Sequence, residues 1–206
     1  MGLNVHPRIY LASRSPRRRE LLQQIGVDFD TVMFRAPPRD DDDVSEAVLP
    51  GEDPETYVLR VAIAKGEAAV RRLDWRRMPR QPVLSADTTL DLDGEIIGKP
   101  DDAIHAESIL RRLGGRSHRV LTAVVVAEDS RLEHRLSISE VYFRELDDAD
   151  IARYVASGEP FDKAGAYGIQ GRAAGFIRRI EGSYTGIMGL PLFETSDLLR
   201  RFGLVI

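Results

Sequence analysis

Asp87 is a carboxylate in a stretch that otherwise reads as strand. In P-V-L-S-A-D-T-T-L-D-L-D-G-E-I-I-G-K-P, from Pro82 to Pro100, Val83 and Leu84 open an apolar run and Asp93-Gly94 is a two-residue hairpin signal. Aspartate is disfavoured on β propensity, and there it needs backbone N–H groups, a cation or a metal beside it. A turn aspartate satisfied by Thr88 or Thr89 is the competing reading. Asp91 and Asp93 are expected to face solvent on the hairpin.

A second anomaly lies in I-Y-L-A-S-R-S-P-R-R-R-E-L-L-Q-Q-I-G, Ile9 to Gly26. Ser15 reads as an N-cap and Pro16 as the first helical residue, with Gly26 as the terminator. Arg17, Arg18 and Arg19 crowd the first turn, where the helix dipole is already positive. A bound anion would relieve that repulsion, and a helix N-terminus with serine hydroxyls can cradle phosphate. An exposed basic turn that holds nothing is the alternative, and this stretch alone leaves the two open.

The polar residues that stand out are Ser13, Arg14, Arg17, Lys65, Asp87, Lys99, Asp162 and Lys163, with glycine loops around them. Many cations and few carboxylates describe a polyphosphate site with a divalent metal. Arg and Lys hold phosphate oxygens, Mg²⁺ takes one or two carboxylates and keeps its waters, and a carboxylate can deprotonate attacking water. Pro160 to Gly189 is glycine-rich and polar, so its backbone can approach a ligand or simply make tight turns. Gln170 within it offers a donor and an acceptor, which suits a base edge. There is no G-x-x-x-x-G-K-[ST], no G-x-G-x-x-G and no G-x-S-x-G. Phosphoryl or nucleotidyl hydrolysis therefore outranks kinase-like transfer and acyl transfer.

The elements that must position these residues read as α/β. Ile9–Ala12, the helix after Ser15 and a strand from Val27 to Phe34 make a βαβ opening. Arg35 to Asp53 is a loop containing the run Asp40–Asp43, read as solvated rather than as a cation site. Asp53-Pro54 starts a helix to about Leu73, with Tyr57, Val61, Ala64 and Ala68 inward, Lys65 at the edge, and Trp75 in a surface turn beyond. A helix over 101–113, long strands over 119–127 and 132–146, a helix over 147–157 and a last helix from Leu190-Pro191 follow. His118 is read as a surface histidine ahead of the first long strand.

The chain has 206 residues, enough for one large domain or one domain of two lobes, and 43% of them are apolar. A net charge of -4 gives no basic field for nucleic acid. The absence of cysteine excludes disulfides and thiolate metal sites. No apolar run resembles a signal peptide or a membrane span, so a cytoplasmic protein is expected.

Several separated motifs in order make the chain resemble the Maf family of nucleoside triphosphate pyrophosphatases, once described as septum-formation inhibitors. They are L-A-S-R-S-P-R-R-R-E-L-L at 11–22, S-A-D-T at 85–88, G-K-P at 98–100, D-K-A-G-A-Y-G-I-Q-G at 162–171, and G-S-Y with G-L-P-L at 182–192. The resemblance implies one domain over residues 1–206. Its fold would be an elongated α/β structure, a mixed β-sheet flanked by helices, with a cleft between two lobes as in ITPase-like proteins. The implied reaction cleaves a nucleoside triphosphate to monophosphate and diphosphate with a divalent cation, Mg or Mn. It implies Asp87 as the base that takes the proton from water. Ser13, Arg14, Lys65, Lys99 and Lys163 fall on substrate-binding positions, and Asp162 joins Asp87 as a candidate metal ligand. Arg17, Thr88 and Gln170 match the branch that acts on dTTP and UTP rather than the 7-methyl-GTP branch.

The same resemblance suggests a homodimer, removal of non-standard nucleotides and a link to cell-division arrest. One departure stands out. The family's acidic V-D-E pattern is expected just after Phe34, where this chain has Ala36-Pro37-Pro38, so either Asp40–Asp43 supply the carboxylate or the metal rests on Asp87 and Asp162 alone. A regulatory module that binds nucleotide without turnover is the rival class. Asp87 and the lysines argue against it, because binding alone needs no base.

Overall fold

The computed structural model describes residues 8–32 and 44–206. Strand β1 (Ile9–Leu11) is followed by helix α1 (Pro16–Gln24) and strand β2 (Phe29–Thr31). The Ser15 side chain accepts from the Arg18 backbone N–H, and Gly26 takes φ +71° just past the helix end. β2 is shorter than the alternation suggested: it is an edge strand, and only three of its residues find a partner in β1. The rest of the expected strand, and the acidic run Asp40–Asp43, include residues outside those described.

Helix α2 (Pro54–Trp75) runs two residues further than expected and carries the exposed Trp75 at its end. Its buried face is Val58, Val61, Ala62, Ala68, Ala69 and Leu73, with Tyr57 and Ala64 only half-buried. Gly66 decides this phase, since a Cβ there would lie 2.9 Å from Ser85 Oγ. The helix thus lies close against the sheet beside Lys65.

Strands β3 (Val83–Leu92) and β4 (Glu95–Ile97) form the expected hairpin, with Asp93 at φ 56° and Gly94 at φ 87°. Helix α3 (Ala103–Leu113), strands β5 (Ser117–Glu128) and β6 (Arg131–Phe143), and helix α4 (Asp148–Ala156) follow. The glycine-rich segment holds three short 3₁₀ turns, strand β7 (Ile177–Glu181) and the single turn α5 (Tyr184–Ile187) before helix α6 (Leu192–Arg201). Neither β7 nor α5 has a periodic sequence signal.

The sheet is mixed, in the order β2-β1-β3-β5-β6-β7, with β4 on β3. β1 pairs parallel with β2 and β3, and the remaining pairs are antiparallel. One core packs α1 and α6 residues such as Leu22 and Leu198 on Leu84, Ala86 and Val124. On the opposite face, Val58 and Ala62 of α2 cover Leu121, Ala123 and Val125. A third core gathers Leu110, Phe143, Tyr154 and Tyr167 at the other end of the sheet.

Two expectations reverse here. Asp91 is buried and accepts from Arg119 Nε at 2.7 Å, because it faces β5 where that arginine crosses; only Asp93 is exposed. His118 is also buried, inside β5, with Nε2 2.8 Å from the Tyr167 hydroxyl. Among the described residues, no helix is long and apolar enough to cross a membrane.

Candidate active site

β3 has an open stretch of edge. β1 pairs only with Val83 and Leu84, and β4 begins at Leu90. Between them, among the described residues, Ala86 to Thr89 has a partner strand only on the β5 side. Side chains of both faces can reach an open edge, so Asp87 and its neighbour Thr88 line the same cleft of about 610 Å³. All ten side chains singled out from the sequence line this cleft.

One wall is acidic. Lys65 Nζ donates to Asp87 Oδ1 at 2.7 Å and pairs with Glu46 Oε1 at 2.7 Å. Burial opposes the charge on Glu46, but Lys65, Lys99 and Arg18 together hold its pKa below the usual carboxylate value. Tyr57 donates its hydroxyl to the Glu46 carbonyl at 3.0 Å, and its phenol pKa is pushed up to about 12, first by burial and then by Asp87 and Glu46.

Glu46 was not among the residues expected at the site. It lies in Val44-Ser45-Glu46, beyond the stretch Ala36–Pro38 where an acidic residue was expected.

Arg18 forms the floor. Nε donates to the Gly189 carbonyl at 2.7 Å, Nη1 to the Ala86 carbonyl at 2.8 Å and to Ser13 Oγ at 3.4 Å, and Nη2 to Thr88 Oγ1 at 3.2 Å. It thereby covers the open-edge carbonyl next to Asp87. Burial lowers its pKa, with the Asp87 charge as the main opposing influence. No carboxylate among the described residues pairs directly with it. Sequence reasoning named Arg17 and passed over Arg18, because three adjacent arginines give no hint of which one turns inward.

Arg17 instead crosses the cleft. Its Nη1 donates to Asp162 Oδ2 at 3.2 Å, and Lys163 donates to Asp162 Oδ1. Burial opposes the Asp162 charge, but these two cations hold its pKa below the usual value. Lys163 Nζ also donates to the Glu159 carbonyl at 2.7 Å. Arg14, Lys99 and Gln170 are exposed on the cleft wall. The turn that presents Lys163 and Gln170 is seated by Gly165 at φ +72°, where a Cβ would lie 2.2 Å from Leu90 Cδ2.

The donor set fits a hard divalent cation in one place. Asp87 and Glu46 are two carboxylates held to a single ammonium, which leaves the group with excess negative charge and suits a Mg²⁺-type ion that keeps waters. Among the described residues no three metal-ligating side chains gather. Asp162 does not join Asp87 as expected, since both of its oxygens are taken by Lys163 and Arg17. The carboxylate that shares Lys65 with Asp87 is Glu46.

The family described as Maf-like protein matches residues 8–202. A protein named dTTP/UTP pyrophosphatase from Aromatoleum aromaticum is 64% identical over 200 residues, covering 97% of both chains. Another of that name from Dechloromonas aromatica is 59% identical over 196 residues, covering 95% of this chain and 98% of the relative. Among solved structures, the Staphylococcus aureus Ham1 protein aligns with a TM-score of 0.49 at 17% identity, covering 95% of this chain and 97% of that one.

Proposed function

The chain belongs to the Maf family, and from that premise we propose that it hydrolyses dTTP and UTP to the monophosphate and diphosphate. The observation that carries the reading is Asp87 on the open edge of β3, held by Lys65 at 2.7 Å inside a cleft rich in cations.

In the proposed reaction Asp87 takes a proton from water as the water oxygen bonds to phosphorus. The anhydride P–O bond breaks and diphosphate leaves. Lys65 orients the Asp87 carboxylate. Lys99, Lys163 and Arg14 bind the phosphate oxygens as point charges or forks. Ser13 and Arg18 keep the helix N-terminus and the β3 edge in place around them. Asp87 and Glu46 would hold a divalent cation, Mg or Mn, whose chemistry is to neutralise charge on the reacting phosphate.

At the base end, Gln170, Arg17 and Thr88 line the cleft. Uracil and thymine present two carbonyl acceptors around one N–H. Gln170 can match an acceptor and that donor together, and Arg17 can donate to a carbonyl. Cytosine exchanges one acceptor for an amino group and leaves donors facing each other. A homodimer, clearance of non-standard nucleotides and a link to division arrest belong to the same proposal and rest on the family resemblance alone, while a cytoplasmic location rests on the lack of a signal-like or membrane-spanning apolar run in the sequence.

Diphosphate release from dTTP, UTP, CTP and GTP, with and without Mg²⁺ or Mn²⁺, tests the reading. Preference for dTTP and UTP is expected. A binding module would turn over none of them.

A further inference from the structure

We propose that Thr122, a buried residue behind the cleft wall, makes the site discriminate uracil from cytosine by fixing the direction of the Thr88 hydroxyl. The inference rests on the dTTP/UTP reading given above.

Thr88 and Thr122 stand opposite each other in the β3–β5 ladder. Thr122 is 1% exposed and Thr88 lines the cleft. Counting hydrogens fixes every bond between them. Thr122 Oγ1 lies 2.8 Å from the Gly186 carbonyl oxygen. A carbonyl only accepts, so the single hydroxyl hydrogen of Thr122 points there. Thr122 Oγ1 is also 2.9 Å from Thr88 Oγ1. With its own hydrogen used, Thr122 accepts and Thr88 donates. At the other end Arg18 Nη2 donates to Thr88 Oγ1 at 3.2 Å, and a guanidinium cannot accept. The chain therefore runs one way only, from Arg18 through Thr88 and Thr122 to Gly186.

What Thr88 has left for a ligand is one lone pair and no hydrogen. Uracil and thymine carry a hydrogen on N3 and can donate to that lone pair. Cytosine has a lone pair on N3, and two lone pairs would face each other without a hydrogen between them. A buried polar group left unpaired in this way rejects the wrong base strongly. Guanine carries a hydrogen on N1, so the polarity of Thr88 does not act against it. The relay governs uracil against cytosine and is silent on uracil against guanine.

Thr122→Val frees the Thr88 hydrogen to turn toward the cleft, where it can donate to cytosine N3. The test is kcat/KM for UTP, CTP and GTP on wild type, Thr122→Val and Thr122→Ser. Ratios are unaffected by any inactive fraction. Thr122→Val is expected to shrink the UTP:CTP ratio by about tenfold or more and to leave UTP:GTP unchanged. Thr122→Ser, which keeps the hydroxyl, is expected to keep both ratios. Thr122→Ala removes the same hydroxyl with a smaller side chain and carries the same expectation should the valine variant not fold. In a Thr88→Val background, Thr122→Val should change the UTP:CTP ratio no further. A wild-type enzyme that prefers UTP while Thr122→Val leaves UTP:CTP intact, or shifts UTP:CTP and UTP:GTP alike, overturns the relay alone. A wild type with no preference for UTP over CTP overturns the underlying reading with it.

Discussion

The Lys65 ammonium donates to the Asp87 carboxylate at 2.7 Å, from a helix that lies close against β3 at the next residue, Gly66. The same nitrogen pairs with Glu46 at 2.7 Å. One cation thus fixes two carboxylates at the open edge of β3, and the chemistry proposed here depends on that arrangement.

Asp87→Asn keeps the shape and removes the base. We expect the variant to retain the wild-type melting temperature within a few degrees and to lose ~10²–10⁴-fold in kcat. Wild-type turnover of dTTP by the asparagine variant at saturating metal would remove Asp87 from its role.

Glu46 and Asp162 separate under metal titration. Chelation with EDTA is expected to stop diphosphate release, and added Mg²⁺ or Mn²⁺ to restore it. Glu46→Gln should raise the metal concentration needed for half-maximal rate. Asp162→Asn should leave that concentration unchanged, because Asp162 holds Lys163 and Arg17 rather than facing Asp87. The reverse pattern would return Asp162 to the metal.

His118 sets an acid limb of stability. Burial lowers its pKa from 6.5 to about 4, and only Glu140 opposes this. Below pH 6.5 the unfolded chain takes a proton on this imidazole that the folded chain refuses until about pH 4. Stability is therefore fully present above pH 6.5 and falls as pH drops through that window, by ~3 kcal/mol in all. Denaturant melts at pH 7, 5.5 and 4.5 check this, and His118→Gln should flatten the slope between pH 6.5 and 4. An unchanged slope would place the acid sensitivity elsewhere.

Gly165→Ala is expected to cost ~2–4 kcal/mol, from a positive φ combined with a clash against the buried Leu90 side chain. The loss should appear as a lower melting temperature. An unchanged melting temperature would mean that Leu90 and the turn rearrange freely.

What was legible in the sequence was local or anomalous. Ser15-Pro16 and Asp53-Pro54 marked helix starts because caps are short-range chemistry, and Asp93-Gly94 marked the hairpin for the same reason. Asp87 stood out because aspartate is a misfit in a strand. What was not legible depends on tertiary partners. Arg18 looks like Arg17 and Arg19 until the helix is docked with Ser13, Ala86 and Gly189 around it. Glu46 lies outside any helix or strand, and only the folded chain brings it to Lys65. The gap in β3 pairing, which lets Asp87 and Thr88 share one cleft, arises from where β1 stops and β4 begins. β7 is a strand only because β6 is there to pair with it.

The central claim is that this cleft cleaves dTTP between the first and second phosphates with Asp87 as base. Separating the products of dTTP turnover by ion exchange tests it most directly, on wild type and Asp87→Asn side by side. The account predicts dTMP and diphosphate in equal amounts from wild type and almost none from the variant. dTDP with orthophosphate, or equal yields from the two proteins, would contradict it.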